Sequence, residues 1–180
     1  MNGTFGVGKT TVARRLVAMS DQLRLFDPEW VGYLLMNNLA DHQFTDFQQL
    51  PPWRTLVPVV ADELAAFTKQ HLVAVQTVLH EEYWHELKDG LELRNHEVIH
   101  VVLDGTPDTL HARIESDPEG REIRQWRHDH VEAFMTQRPW LLASADVVID
   151  TAAIDAQHAA TAVFAQIQRG SLPPTREHPL

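Results

Sequence analysis

The chain has 180 residues, a net charge of −10 and no cysteine. This length fits one domain at roughly 100–200 residues each, and 44% hydrophobic with 22% charged residues suits a packed core rather than a disordered chain. The acidic balance argues against a nucleic-acid partner, the missing cysteines exclude disulfides and thiol chemistry, and no apolar run approaches the ~18 residues of a membrane span.

In chain order, residues 10–20 carry the apolar spacing of an amphipathic helix, and residues 24–26 make a short strand. Asp27 and Pro28 then open a helix to about residue 39. Residues 41–52 read as loop, and 53–69 as a helix bent near Pro58. The apolar runs 71–78, 98–103 and 146–150 read as strands; 81–93, 106–116, 121–135 and 154–168 read as helices. The segment 117–120 is a turn, and the proline-rich residues 170–180 are expected to be poorly ordered. Strands that are continuous apolar runs and alternate with helices predict an α/β fold, a parallel sheet covered on both faces. Residues 1–169 form a single domain in this reading. No charged-then-apolar leader is seen, so a cytoplasmic location is expected.

Gly3-Thr4-Phe5-Gly6-Val7-Gly8-Lys9-Thr10 matches G-x-x-x-x-G-K-[ST] at every fixed position, the phosphate loop of P-loop nucleotide-binding proteins. Glycines let consecutive N–H groups turn inward onto a phosphate, and the following helix adds its positive end. The loop residues Gly3, Phe5, Gly6, Val7 and Gly8, with Lys9, Thr10 and Thr11, are therefore the expected ATP site. Lys9 reaches the β- and γ-phosphates and the Thr10 hydroxyl ligates Mg²⁺. Only Met1 and Asn2 precede the loop, whereas a strand needs about five residues, so the natural start is expected upstream.

At this length a small-molecule kinase is the expected class. Arg outnumbers Lys twelve to three, and five arginines fall between Arg113 and Arg138. Arg121, Arg124 and Arg127 recur every third residue, so they share roughly one helix face. Such a face suits a lid over a transferring phosphoryl group, with Arg124 and Arg127 neutralising its charge. Asp27, at a strand end, is the expected catalytic base, with Glu29 as substitute. Trp30, Trp53 and Tyr33 are expected to line an acceptor pocket, with Arg54 on an anionic or sugar part. Gln76 and Thr77, beside the loop, are expected to reach the acceptor or metal-bound water, and Arg113 to stack on the adenine. Asp150, Thr151 and Ala152 border the base in this reading. The eleven histidines include no His-Glu-x-x-His pattern, so no zinc site is expected.

Residues 3–11, Phe26-Asp27-Pro28-Glu29-Trp30-Val31-Gly32, residues 47–54 and residues 72–83 together resemble the tunicamycin-resistance ATP-binding proteins. The likeness covers most of residues 2–115. It implies a three-layer fold like nucleoside monophosphate kinases, with a five-stranded parallel sheet of order 2-3-1-4-5, the residues before the loop counting as strand 1. It also implies ATP-dependent handling of a nucleoside-type antibiotic. Residues 110–114 and Arg127-His128-Asp129 resemble the segments flanking the lid of adenylate-kinase-like enzymes, which places a lid at about 114–128. There two consecutive acids follow the lid; here only Asp129 is present. The expected reaction moves the γ-phosphoryl group of MgATP to a hydroxyl of a nucleoside- or sugar-containing antibiotic or metabolite. The alternative is an ATP-binding protein that sequesters the antibiotic without chemistry; a kinase of nucleotide metabolism is the third reading.

Overall fold

The computed structural model describes residues 1–118 and 120–169. The tail expected to be poorly ordered, 170–180, lies outside the described residues. Among these residues, four short strands are separated by seven α-helices, singly or in pairs: α1 (Lys9–Val17), β1 (Leu23–Phe26), α2 (Glu29–Asn38), α3 (Pro51–Thr68), β2 (His71–Ala74), α4 (Glu81–Glu92), β3 (Val101–Asp104), α5 (Pro107–Ser116), α6 (Arg124–Ser144), β4 (Val147–Asp150) and α7 (Ala156–Arg169). No helix among the described residues is long and apolar enough to cross a membrane.

β1 pairs with β2 in parallel, and β3 with β4 in parallel. The sheet is thus recorded as two pairs rather than five continuous strands. Between the pairs run residues 1–3. The Met1 amine donates to Ala74 O at 2.7 Å and Gln76 N donates to Met1 O at 3.2 Å. On the other side Asn2 N donates to Val101 O at 2.8 Å and Leu103 N donates to Asn2 O at 2.9 Å. Only Asn2, opposite Val102, makes a parallel bridge there.

Alternate strand residues enter different apolar clusters, as a period of two requires. Val73 of β2 and Val101 and Leu103 of β3 pack with Val12 and Leu16 of α1, Leu110 and Ile114 of α5 and Val163 of α7. Leu72 and Ala74 face the opposite way, into a cluster with Val31 and Leu35 of α2, Trp53 and Val57 of α3 and Leu87 of α4. Val102 joins Phe134 and Leu141 of α6. Helices therefore cover both faces of the strands, the layered α/β arrangement expected.

Several boundaries differ from the sequence reading. The run 71–78 is extended only to Ala74, because Val78 N donates to the side chain of Asn2 rather than to a strand. α6 continues beyond Met135 through Pro139 to Ser144. A proline inside a helix removes one hydrogen bond, but Phe134 and Leu141, fully buried on either side, hold the helix to the core. Pro58 likewise sits inside α3, which runs unbroken.

Candidate functional site

The phosphate loop is shaped by three glycines with positive φ: 141° at Gly3, 76° at Gly6 and 89° at Gly8. A Cβ at Gly3 would sit 2.6 Å from Leu103 O, and one at Gly6 2.8 Å from Leu110 O. These two glycines let the loop press against β3 and α5. Gly8 is different: nothing lies within 4 Å of the position a Cβ would take, so its constraint is φ alone. The buried Asn2 side chain braces the loop from below. Its Oδ1 accepts from Gly3 N at 2.8 Å and Val78 N at 3.0 Å, and its Nδ2 donates to Val78 O at 2.9 Å. Thr77 Oγ1 donates to Gly3 O at 2.9 Å.

Lys9 opens α1, with Thr10 and Thr11 exposed behind it. Its ammonium donates to Thr4 O at 2.9 Å and stands 5.4 Å from the Phe5 ring centre. Burial pushes its pKa down to about 8; the Glu29 carboxylate opposes that shift and the Arg127 guanidinium adds to it. Lys9, Glu29 and Arg127 thus share one electrostatic neighbourhood. Phe5 is enclosed by α6: Trp126 lies 4.9 Å and His130 5.4 Å from it, ring to ring, and the Arg127 guanidinium 5.6 Å away. Thr4 Oγ1 donates to His130 O at 3.0 Å, a second tie between loop and α6.

Across from Lys9, the chain leaves β1 into Asp27 and Glu29. Asp27 Oδ1 accepts from Glu29 N at 3.0 Å, while the cap position of α2 is Pro28 rather than the expected Asp27. Glu29 holds its proton more tightly than an ordinary carboxyl: burial comes first, then the Asp27 charge, offset by Lys9 and a hydrogen bond from Tyr33. The same two carboxylates push the Tyr33 phenol up, Glu29 first. Trp30 is 71% exposed and meets Tyr33 edge-on at 5.7 Å.

Trp53 and Arg54 differ from expectation. Trp53 has no exposed surface; it packs on Phe47 at 5.4 Å and its indole N–H donates to Pro28 O at 3.1 Å. It offers nothing to a ligand and instead pins the backbone beside Asp27. Arg54 is buried too. Its Nε donates to Glu86 Oε2 at 2.7 Å, its Nη1 to Gln48 O, and its guanidinium lies 4.3 Å over the Tyr83 ring. It ties α3 to α4 and to the turn at Phe47–Gln49. Gln48 extends that tie, its Nε2 donating to Thr77 O at 2.8 Å. Gln76 is 9% exposed, and its Oε1 has no hydrogen-bond partner among the described residues.

On the far side of the loop, Gly6, Val7, Gly8, Arg113, Thr151 and Ile154 border a cavity of about 160 Å³. Arg113 is held at three points: Nη1 donates to Thr151 Oγ1 at 3.0 Å and Gly6 O at 3.3 Å, and Nη2 to Thr151 O at 2.7 Å. Ala152 N donates to Asp150 Oδ1 at 2.9 Å, turning the chain after β4. The arginines expected in a lid part ways. Arg127 lies near Lys9 and donates to Asp117 Oδ2 at 2.8 Å. Arg124 is paired with Glu115 at 3.3 Å and donates to Glu115 O, away from those contacts. Asp104, buried at the end of β3, was missed by the sequence reading. It accepts three hydrogen bonds from Arg138 of α6, the shortest 2.6 Å. The signal was available as an apolar run ending in Asp-Gly.

No family model matches the chain, and no curated protein matches it. Solved structures do. The tunicamycin resistance protein of Deinococcus radiodurans superposes with a TM-score of 0.70 at 24% identity, over 97% of this chain and 95% of that one. A sugar kinase from Janibacter sp. HTCC2649 gives 0.64 at 16% identity, over 93% and 91%. Shikimate kinase from Acinetobacter baumannii, solved with shikimate, gives 0.60 at 19% identity, over 96% and 93%. The chain therefore has the α/β fold of kinase-like P-loop proteins, and the resemblance read from residues 3–83 leads to the same neighbour.

Proposed function

We propose that the chain is a phosphotransferase that moves the γ-phosphoryl group of MgATP to a hydroxyl of a nucleoside- or sugar-containing compound, and so confers resistance to a tunicamycin-like antibiotic. The observation that carries this reading is that Lys9, behind an open phosphate loop, shares its electrostatic neighbourhood with the Glu29 carboxylate, which in turn feels Asp27. A cradle alone would serve a binding protein. A carboxylate pair set against the loop lysine serves proton transfer. Neighbours that include a sugar kinase, a shikimate kinase and a tunicamycin resistance protein support it.

The residues fit the nucleotide. The loop is packed on its Gly3 and Gly6 side and open at Gly8, so the backbone of Gly3, Phe5, Gly6, Val7 and Gly8 forms the phosphate cradle. Lys9 and Thr11 complete it, and the Thr10 hydroxyl takes Mg²⁺. The base enters the cavity beside Arg113. MgATP, when bound, supplies the electrophilic phosphoryl group, with its metal offsetting phosphate charge. Lys9 and Arg127 supply the remaining positive charge, and Arg124 reaches it only after leaving Glu115. Asp27 orients the acceptor hydroxyl and takes its proton, with Glu29 as the second carboxylate. Trp30 and Tyr33 present ring surface to the acceptor, and the unpartnered Gln76 Oε1 accepts from a hydroxyl or a metal-bound water. Trp53 and Arg54 position this side rather than touch it. In this reading residues 1–3 are the central strand of a sheet ordered 2-3-1-4-5, residues 1–169 are one domain, and 114–128 are its lid.

Purified protein mixed with MgATP and tunicamycin, and separately with UDP-N-acetylglucosamine, tests the reading by mass spectrometry. The expected product is 80 Da heavier, as one phosphoryl group requires (a gain of about 80 Da), and disappears in Lys9→Ala. Tight binding of the antibiotic without a mass change, retained in Asp27→Asn, would replace phosphoryl transfer with sequestration.

A further inference from the structure

Apart from the phosphate loop, His111 of α5 and His128 of α6 turn their Nδ1 atoms toward each other at 2.6 Å. The ring centres are 4.7 Å apart and the planes 41° from parallel. The far nitrogen of each ring faces a carboxylate. His128 Nε2 lies 2.8 Å from Glu115 Oε1, and His111 Nε2 lies 3.4 Å from Glu132 Oε1. An ionised carboxylate only accepts, so His128 Nε2, hydrogen-bonded to Glu115, is a protonated nitrogen, while the 3.4 Å approach of His111 Nε2 to Glu132 is an ion-pair distance that does not set the His111 tautomer. That leaves the His128 Nδ1 lone pair aimed at His111 Nδ1. A shared proton satisfies it, and so does a metal ion.

We propose that His111 and His128 form a two-imidazole site for a borderline transition-metal cation, with Zn²⁺ as the reference ion. Metal-bound histidines generally donate their other ring N–H to a carboxylate, which fixes the tautomer and the ring orientation. Here His128 has that partner in Glu115, whose other oxygen Arg124 holds at 3.3 Å, and His111 Nε2 lies 3.4 Å from Glu132 Oε1. Tetrahedral Zn²⁺, with Zn–N of about 2.0–2.1 Å, sets two ligand nitrogens about 3.3 Å apart. To admit it the rings need to separate by less than about 1 Å and to turn off their head-on approach, so that both lone pairs converge on the ion. No third His, Asp or Glu side chain completes the set among the described residues. The His111 and His128 side chains are 32% and 18% exposed, so water supplies the remaining ligands. On binding, one ion enters and the proton shared by the two rings leaves. The site joins α5 to α6. This inference does not depend on phosphoryl transfer.

Zn²⁺ titrated calorimetrically into tag-free protein tests it, with His111→Gln, His128→Gln and Glu115→Gln compared against His158→Gln on α7. One saturable site is expected. Its affinity should fall at least tenfold in either imidazole variant and about 10–100-fold in Glu115→Gln, and stay unchanged in His158→Gln. Nitrogen NMR of the wild-type imidazoles gives a reading that no variant's folding can confuse: Zn²⁺ should shift the two Nδ1 signals of this pair. Absence of saturable binding, wild-type affinity in either imidazole variant, or shifts confined to other rings would each overturn the proposal.

Discussion

Arg113 is held by Gly6 and Thr151 at three points, whereas Trp30 is 71% exposed and touches Tyr33 by a ring edge. The two residues represent two styles of construction. On the Arg113 side, the loop, α5 and the end of β4 are joined by hydrogen bonds among part-buried groups, so the cavity is shaped before anything enters it. On the Trp30 side, the inner face of α2 is anchored through Val31, Gly32 and Leu35, and its outer face carries Trp30, Tyr33 and Leu34 with much of their surface in water. In the proposed reading, the nucleotide meets the rigid frame and the acceptor meets a surface that the fold does not use.

Four measurements would break or sharpen this contrast. Asp27→Asn should cost the acceptor side its base, lowering kcat by about 10²–10⁴-fold while nucleotide affinity, followed by fluorescence titration, stays within twofold, a range of about 2. A parallel loss of nucleotide binding would mean that the two sides are not separable. Arg113→Ala should act on the other side, leaving Thr151 and Gly6 carbonyls without their donor. A loss of about 1–3 kcal/mol in urea denaturation is expected, with a raised KM for ATP. Glu29 connects the halves through pH. Its folded pKa is raised, so the folded protein binds this proton where the unfolded chain does not. Stability from this group therefore grows as pH falls through the raised value toward the ordinary 4.5, and is absent above it. Glu29→Gln should flatten that slope and raise the urea midpoint at neutral pH; an unchanged slope would mean that the Glu29 carboxyl is not the source of it. Trp30→Ala should do least to the fold, within about 0.5 kcal/mol, yet raise the KM of the acceptor alone.

The phosphate loop was legible because its chemistry is local: spacing within eight residues sets both the glycine conformations and the reach of Lys9. Element types were legible for the same reason, from caps such as Thr106, whose side chain accepts from Thr109 N. What could not be read were partners far apart in the chain. Arg113 finds Gly6 107 residues away and Thr151 38 residues away, and nothing in its neighbours announces that. Trp53 read as a ligand contact because aromatic type says nothing of depth; its burial is decided by α2, α3 and α4 meeting around it. α6 runs past its expected end at Met135, through Pro139 to Ser144, because packing at Leu141 far along the helix is not announced by the local pattern. His111 and His128 are seventeen residues apart and on different helices, a spacing with no motif to its name.

A side chain at position 32 would run into the Phe47 ring, since a Cβ there would lie 2.6 Å from it. Gly32 therefore fixes α2 closely against the segment that leads to Trp53, while the three large side chains on the outer face bear none of that weight. Randomising positions 30, 33 and 34 together, with Gly32 kept, should yield a library in which most members still fold. Such a library lets ligand preference be rewritten on an unchanged scaffold, and the same arrangement would let a lineage exchange one small molecule for another by a few substitutions.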